Sequence, residues 1–291
     1  MALFSKDLGI DLGTMFTRIA EGDTIILEEP TVVAIAVEDQ MIVSVGKEAH
    51  EMYGRVPDTI AVTRPLQNGV IAYYEITEKL LSYLIKKVSG PLRFFRPRVM
   101  ITIPYGITSV ESRAVHEALL GAGSREAYLI PQPLAAALGT GLPIATPSGN
   151  MVVSLGAGCS QAAVIAMNGI VAAETIRVGG MQLDEAIIAY VRRKYGLIIG
   201  QPTAEQVKIK IGAAVPQDEE QSVEIQGQDQ VTGLPRPLTL TTSEIVEATR
   251  EVLKAIDETV RRVLEKTPPE LVSDTIDRGI DMERQAAATR I

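Results

Sequence analysis

The sequence predicts an α/β protein made of two halves on one plan. Two observations carry this. A strand, a glycine-containing bend and a second strand occur at residues 8–17 and again at residues 151–160, and after each copy strand-like and helix-like segments alternate. That alternation argues for mostly parallel sheets with helices on their faces. At 291 residues, 46% hydrophobic and 22% charged, the chain has globular composition and room for two domains of ordinary size.

In the first half, Leu8-Gly9-Ile10-Asp11-Leu12 and Thr17-Arg18-Ile19-Ala20 flank the first bend. The β-branched runs 24–29 and 31–37 follow, separated by Pro30, which cannot donate inside a central strand. Residues 41–45 read as a further strand. Residues 47–53 read as a short helix closed by Gly54, and residues 64–71 as a turn-rich crossing segment. Ile76, Leu80, Leu81, Leu84, Ile85 and Val88 fall at helical spacing, and residues 98–104 supply a strand for that stripe to cover. Thr108 with Glu111 three residues on is a capping-box signature for a helix over 109–122. A short strand at 127–130 and a small-residue helix after Pro133 end this half.

The second bend opens the second half. It is followed by a strand at 170–176, Gly179-Gly180, an amphipathic helix through 184–191 and a helix starting at Thr203. Residues 222–225 and 238–240 read as a strand pair flanking turns at Gly227 and Gly233. Ser243 reads as the cap of a long helix that stops before Pro268-Pro269. The halves so defined are 1–140, with a small subdomain at about 31–74, and 141–291, with one at about 181–242.

Charge and residue counts exclude several functions. Twenty-eight basic against 36 acidic residues give a net −8, which disfavours nucleic acid as a partner. The single Cys159 cannot form an internal disulfide, and His50 and His116 leave little for zinc or a catalytic triad. A reducing cytoplasm suits such a chain. No apolar run approaches the ~20 residues that cross a bilayer, which leaves attachment to a membrane surface open.

Two stretches carry chemistry. A glycine at a tight bend lets backbone approach a ligand, and successive amides pointing one way bind oxyanions such as phosphate, so paired bends read either as a two-sided phosphate clamp or as ordinary hairpins. Leu92-Arg93-Phe94-Phe95-Arg96, with two of the four phenylalanines beside arginines, reads either as a membrane-surface loop or as the start of a core strand.

Asp7-Leu8-Gly9-Ile10-Asp11-Leu12-Gly13-Thr14, Glu29-Pro30-Thr31-Val32-Val33-Ala34, Gly69-Val70-Ile71-Ala72, Arg96-Pro97-Arg98-Val99, Gly179-Gly180 with Asp184-Glu185-Ala186, and Pro268-Pro269-Glu270-Leu271 together resemble the actin-like, sugar-kinase and heat-shock ATPase fold, and within it the bacterial actin homologue family MreB. The resemblance implies a ribonuclease H-like duplicated fold, with two mixed sheets flanked by helices around a nucleotide cleft. It also implies ATP and Mg²⁺ as ligands, and filaments of this chain or its paralogues on the inner membrane face that guide cell-wall synthesis machinery in rod-shaped cells. Carried over by position, Gly13, Thr14, Met15 and Phe16 form the first phosphate loop after Asp11, and Gly156, Ala157 and Gly158 the second. The stretch Glu205, Gln206, Val207 and Lys208 contacts the nucleoside, and Leu92, Phe94 and Phe95 insert into membrane.

The departures from the family pattern concern charge. Ser154 stands where the family has a second magnesium-organising Asp, leaving Asp11 alone. Gln132 stands where it has a water-positioning Glu, and Gln161 and Cys159 replace Glu and Thr. A hydroxyl does not neutralise a dication, and an amide takes no proton at neutral pH, so weak metal binding and little or no ATP hydrolysis are expected. The family's closing segment after Gly279-Ile280, a strand and a Gly-rich loop, is expected to be absent, and residues 281–291 have the composition of an exposed or frayed helix. A filament protein or modulator, an active small-molecule kinase of the same fold and a nonfunctional truncated paralogue are the competing readings.

Overall fold

Alternation along Asp7-Leu8-Gly9-Ile10-Asp11-Leu12 sends Leu8, Ile10 and Leu12 to one face of a strand and leaves Gly9 and Asp11 on the other. A computed structural model, which describes residues 6–89 and 96–284, builds the first half around this strand. β1 (Asp7–Leu12), β2 (Phe16–Glu21) and β3 (Thr24–Pro30) form an antiparallel meander. β4 (Val33–Ala36), β5 (Ile42–Val45), α1 (Lys47–Glu51) and β6 (Ile60–Thr63) form a small separate unit with sheet order β5-β4-β6. β7 (Leu66–Gln67) and β8 (Val70–Ile71) make a short ribbon. Then α2 (Tyr74–Ser89) returns the chain to β9 (Arg98–Ile103), parallel to β1, and α3 (Ser109–Gly121) leads to β10 (Glu126–Pro131). The sheet order is β10-β9-β1-β2-β3.

After α4 (Gln132–Gly139) the plan repeats. β11 (Asn150–Leu155), β12 (Ser160–Ala166) and β13 (Gly169–Ile176) are a second meander. The second small unit comprises α5 (Gly180–Tyr195), β14 (Leu197–Ile198), α6 (Gln201–Ile211), β15 (Ser222–Asp229) and β16 (Pro235–Thr241), with sheet order β14-β15-β16. α7 (Thr242–Lys266) and α8 (Pro269–Arg278) return to β17 (Ile280–Arg284), which pairs parallel with β11 in the order β13-β12-β11-β17. Thus β17 stands to β11 as β9 stands to β1.

That pairing corrects the expectation of an exposed helix beyond residue 280. β11 is buried along its whole length, and register from Met151 opposite Ile280 to Leu155 opposite Arg284 gives its backbone a hydrogen-bonding neighbour. Residues 285–291 lie outside the described residues. Three further boundaries differ. α7 is capped by Thr241, whose N–H donates to Glu244 Oε2 at 3.1 Å, because Glu244 sits three positions after Thr241. α6 starts at Gln201, with Pro202 in its first turn. Gly227 lies inside β15, where an added Cβ would stand 3.2 Å from Leu197 and Ile199 side-chain atoms; the turn is at Gly233, φ +70°.

Each helix stripe finds its sheet. Leu80, Leu81, Leu84 and Ile85 of α2 and Val115, Ala118 and Leu119 of α3 pack on Leu8, Ile10, Leu12, Val99 and Ile101. Thr108 and Glu111 complete the capping box of α3 reciprocally. In the second half α7 and α8 cover one face of the sheet through Ile256, Val260, Val263 and Leu271. α4 covers the other, with Ala136 and Ala137 against Val152, Ala163 and Ile165. A helix from the first half therefore packs on the sheet of the second. No described helix is long and apolar enough to cross a membrane.

Leu84 is fully buried between α2 and the first sheet. Leu84→Ala is expected to lower unfolding free energy by about 2–5 kcal/mol, read as a reduced urea midpoint at unchanged slope.

Candidate functional site

The two bends have the same geometry. In the first, Gly13 N–H donates to Phe16 O at 3.0 Å, and Leu12 pairs with Thr17. In the second, Gly156 N–H donates to Cys159 O at 2.9 Å, and Leu155 pairs with Ser160. Buried Thr31 holds the first turn: its N–H donates to Met15 O at 2.8 Å and its Oγ1 to Gly13 O at 2.7 Å. The start of α5 holds the second, where Gly180 N–H donates to Gly156 O at 3.0 Å and Met181 N–H to Ala157 O at 2.9 Å.

The turns face one another. A Cβ on Gly158 would lie 2.5 Å from Thr14 Oγ1 and 3.1 Å from Asn68 Cα and Gly69 N. Gly69 N–H in turn donates to Thr14 Oγ1 at 3.1 Å. Three turns, two from the duplicated hairpins and one from the β7–β8 ribbon, thus meet at one point, and only glycine fits at position 158.

On the face of the first sheet that carries Asp11, between the sheet and α4, is a cleft of about 520 Å³, lined by Asp11 and Arg18, Thr102, Gln132 and the α4 residues Ala135 and Ala136 among others. Asp11 accepts from Thr102 Oγ1 at 2.7 Å, and Arg18 Nη1 lies 4.0 Å from its Oδ2. Gln132 is buried, and its Oε1 accepts from Gln161 Nε2. Gln161 Oε1 accepts from Tyr105 N–H at 2.7 Å and Thr175 Oγ1 at 3.3 Å. Ser154, also buried, lies directly across the strand pair from Gln161. The residues do not fit a magnesium site. Asp11 is the lone carboxylate of this set and has a guanidinium beside it, and no cluster of three or more His, Cys, Asp or Glu occurs among the described residues. Burial, reinforced by Asp11, pushes the Cys159 thiol up to about 11, so it is inert.

The α6 residues divide by helical position. Val207 fills the small-unit core and Gln206 faces solvent. Lys208 is buried; its Nζ lies 2.7 Å from Asp184 Oδ1 and donates to Gly180 O at 2.9 Å. Burial pushes the Asp184 carboxyl up to about 6 despite Lys208. Glu205, with Met15, Arg64 and Tyr53, lines a second cavity of about 250 Å³ between the small units. There Arg64 Nε and Nη1 are buried without a hydrogen-bond partner among the described residues, and burial lowers the Arg64 pKa against the support of Tyr53 and Glu205. Leu92, Phe94 and Phe95 lie outside the described residues.

The structure therefore brings Thr14 to Gly158, and Asp11 to Gln132, while Met15 and Glu205 share a separate wall. Sequence reasoning missed Arg18, Thr102 and the Lys208–Asp184 pair. Arg18 was within reach, since a hairpin closing Leu12 on Thr17 puts residue 18 opposite Asp11.

Comparison with known proteins bears on this geometry. The family profile described as MreB/Mbl protein matches residues 5–288. The chain belongs to the MreB/Mbl family. It is 46% identical over 295 residues to the cell shape-determining protein MreB of Escherichia coli K12, covering 99% of this chain and 85% of that one. Mbl of Bacillus subtilis 168, also named cell shape-determining, is 43% identical over 279 residues, 96% of this chain and 84% of that one. Among solved structures, MreB5 of Spiroplasma citri bound to AMPPNP superposes with a TM-score of 0.90 at 30% identity, covering 97% of this chain and 85% of that one. The MamK double helical filament shares the fold, with a TM-score of 0.78 at 20% identity over 96% of this chain and 85% of that one. The fold is actin-like, and this MreB/Mbl chain is a cytoskeletal protein of the cell shape-determining kind.

The buried pair gives a test with a definite sign. Asp184 holds its proton more tightly folded, at about 6, than unfolded, near 3.8, so its contribution to stability is full below 3.8 and is lost as pH rises through 6. Above that pH it is a buried carboxylate that relies on Lys208. Lys208→Met should cost about 3–5 kcal/mol at pH 8 and clearly less at pH 5, where Asp184 is protonated, as measured by urea unfolding at both pH values.

Proposed function

We propose that this chain binds an adenine nucleotide between its halves and assembles into filaments on the inner membrane face, where the cell-wall synthesis machinery is its partner, while hydrolysing ATP slowly or not at all. The observation that carries the nucleotide reading is the apposition of the turns at Thr14 and Gly158, each a tight bend able to aim amides at phosphate. A TM-score of 0.90 to an MreB5 bound to AMPPNP supports it. On this reading Gly13, Thr14, Met15 and Phe16 flank the phosphates from one side and Gly156, Ala157 and Gly158 from the other, with Glu205 toward the nucleoside, while Lys208, buried on Asp184, supports α6 from within instead of touching the ligand. Magnesium, if it binds, has Asp11 for its only carboxylate in this set.

Impaired hydrolysis follows from the chemistry around Gln132. Its carbonyl oxygen is engaged by Gln161, and an amide has no basic site at neutral pH, so general-base assistance worth roughly 10²- to 10⁴-fold is lacking. A small-molecule kinase would need a carboxylate there, and the buried amide pair argues against one. Electron microscopy of purified protein with AMPPNP should show filaments, while phosphate release from ATP stays at the no-protein level. Unassembled protein under all nucleotide conditions, or release abolished by Asp11→Ala, overturns the corresponding half of the reading.

The membrane part rests on the sequence Leu92-Arg93-Phe94-Phe95-Arg96, whose rings suit acyl chains and whose guanidinium groups suit anionic headgroups. Wild type should float with anionic liposomes and Phe94→Ala/Phe95→Ala should remain in the soluble fraction. Equal flotation ends that part.

A further inference from the structure

We propose that Arg18 occupies the electrostatic place of a divalent cation, so that this cleft takes a phosphate-bearing ligand without magnesium. The inference rests on the nucleotide reading and specifies how that site is charged.

Arg18 is built into the cleft wall. It lies on β2 directly opposite Asp11 of β1, in the middle of a sheet and next to a hairpin turn held from both sides. Its Nε donates to Glu28 Oε2 on β3 at 2.6 Å, which fixes the guanidinium plane, and its Nη1 stands 4.0 Å from Asp11 Oδ2. Thr102 takes the other carboxylate oxygen at 2.7 Å. Direct magnesium ligation requires a carboxylate oxygen at about 2.0–2.1 Å from the ion in near-octahedral geometry. An ion at Oδ2 would have to share that oxygen with a guanidinium already neutralising it, and two cations on one carboxylate repel each other.

The position facing Gln161 across β11 and β12 is Ser154, and Gln161 itself is bonded to Gln132. Glu28, Arg18 and Asp11 stand in a row across β3, β2 and β1, so Glu28 holds the guanidinium from the side away from Asp11, while the groups toward β9 and α4, Thr102 and Gln132, are neutral. Arginine is suited to the role: it stays charged at all working pH, carries several donors in a plane, and gives up hydration more readily than a small dication. Preset on a strand, it loses little conformational freedom when phosphate arrives.

The test is equilibrium binding of fluorescent ADP and AMPPNP to the full chain, with millimolar magnesium and with excess EDTA. Wild type should bind with dissociation constants that agree within about threefold in the two conditions. Arg18→Leu should bind at least about tenfold more weakly in EDTA and recover on adding magnesium, because Asp11 is then released to the ion; tenfold corresponds to about 1.4 kcal/mol. Arg18→Lys keeps the charge and should keep indifference to the metal at reduced affinity. A wild-type affinity that falls tenfold or more in EDTA overturns the proposal while leaving the nucleotide reading intact. No binding to wild type in either condition removes the nucleotide reading and the proposal with it. Thermal melting identifies a variant that has not folded, and the wild-type comparison then decides alone.

Discussion

The contact between the turns at Thr14 and Gly158 constrains everything else in the molecule. With hydrogen as its side chain, residue 158 lets two hairpins and the β7–β8 turn close on one point, and any larger group meets Thr14 Oγ1 or ribbon backbone. Both sheets are anchored to that point, because each turn leads directly out of its central strand. α4 spans the halves from the other side, continuing from β10 of the first and packing on the sheet of the second. The cleft is thus bounded by the first sheet on one side and α4 on another.

Within those bounds the neutral residues form a self-consistent set. Two buried carboxylates at positions 132 and 161 would confront each other at hydrogen-bond distance and need a shared proton or an ion between them. Two glutamines need neither: one amide donates to the carbonyl of the other, and the second carbonyl is satisfied by Tyr105 and Thr175. The same logic joins Asp11 to Arg18. Gln132, Gln161 and Ser154, separate along the chain, lie together in the fold and are all neutral, while Arg18 faces Asp11 across β1 and β2.

How much of this was legible in the sequence depended on the range of the interaction that sets each feature. The hairpins, the α2 stripe and the Thr108–Glu111 cap are local, and period, spacing and residue type specify them. β6, β14 and β17 are too short or too weakly patterned to announce themselves; pairing with β4, β15 and β11 makes them strands. The cap at Thr241 was two residues from the predicted Ser243, since both precede acidic residues and only the reciprocal bond to Glu244 distinguishes them. The resemblance sends Glu205 and Lys208, one turn apart, to the nucleoside together, yet Lys208 is buried against α5. Nothing in the helix pattern of α6 shows a lysine turned inward; its partner Asp184 is 24 positions away.

That buried lysine also links the two parts of the site. The Gly180 peptide at the start of α5 donates through its N–H to Gly156 O of the second turn and accepts through its O from Lys208 Nζ of α6. The peptide that holds the turn is thus tied to α6 through two hydrogen bonds and no side chain other than Lys208. Asp184 keeps that side chain in place, because a buried ammonium group needs a counter-charge to stay in the core. The path uses neither Gln132 nor Ser154. The helix carrying Glu205 and the turn carrying Gly158 are consequently joined through one peptide, that of Gly180.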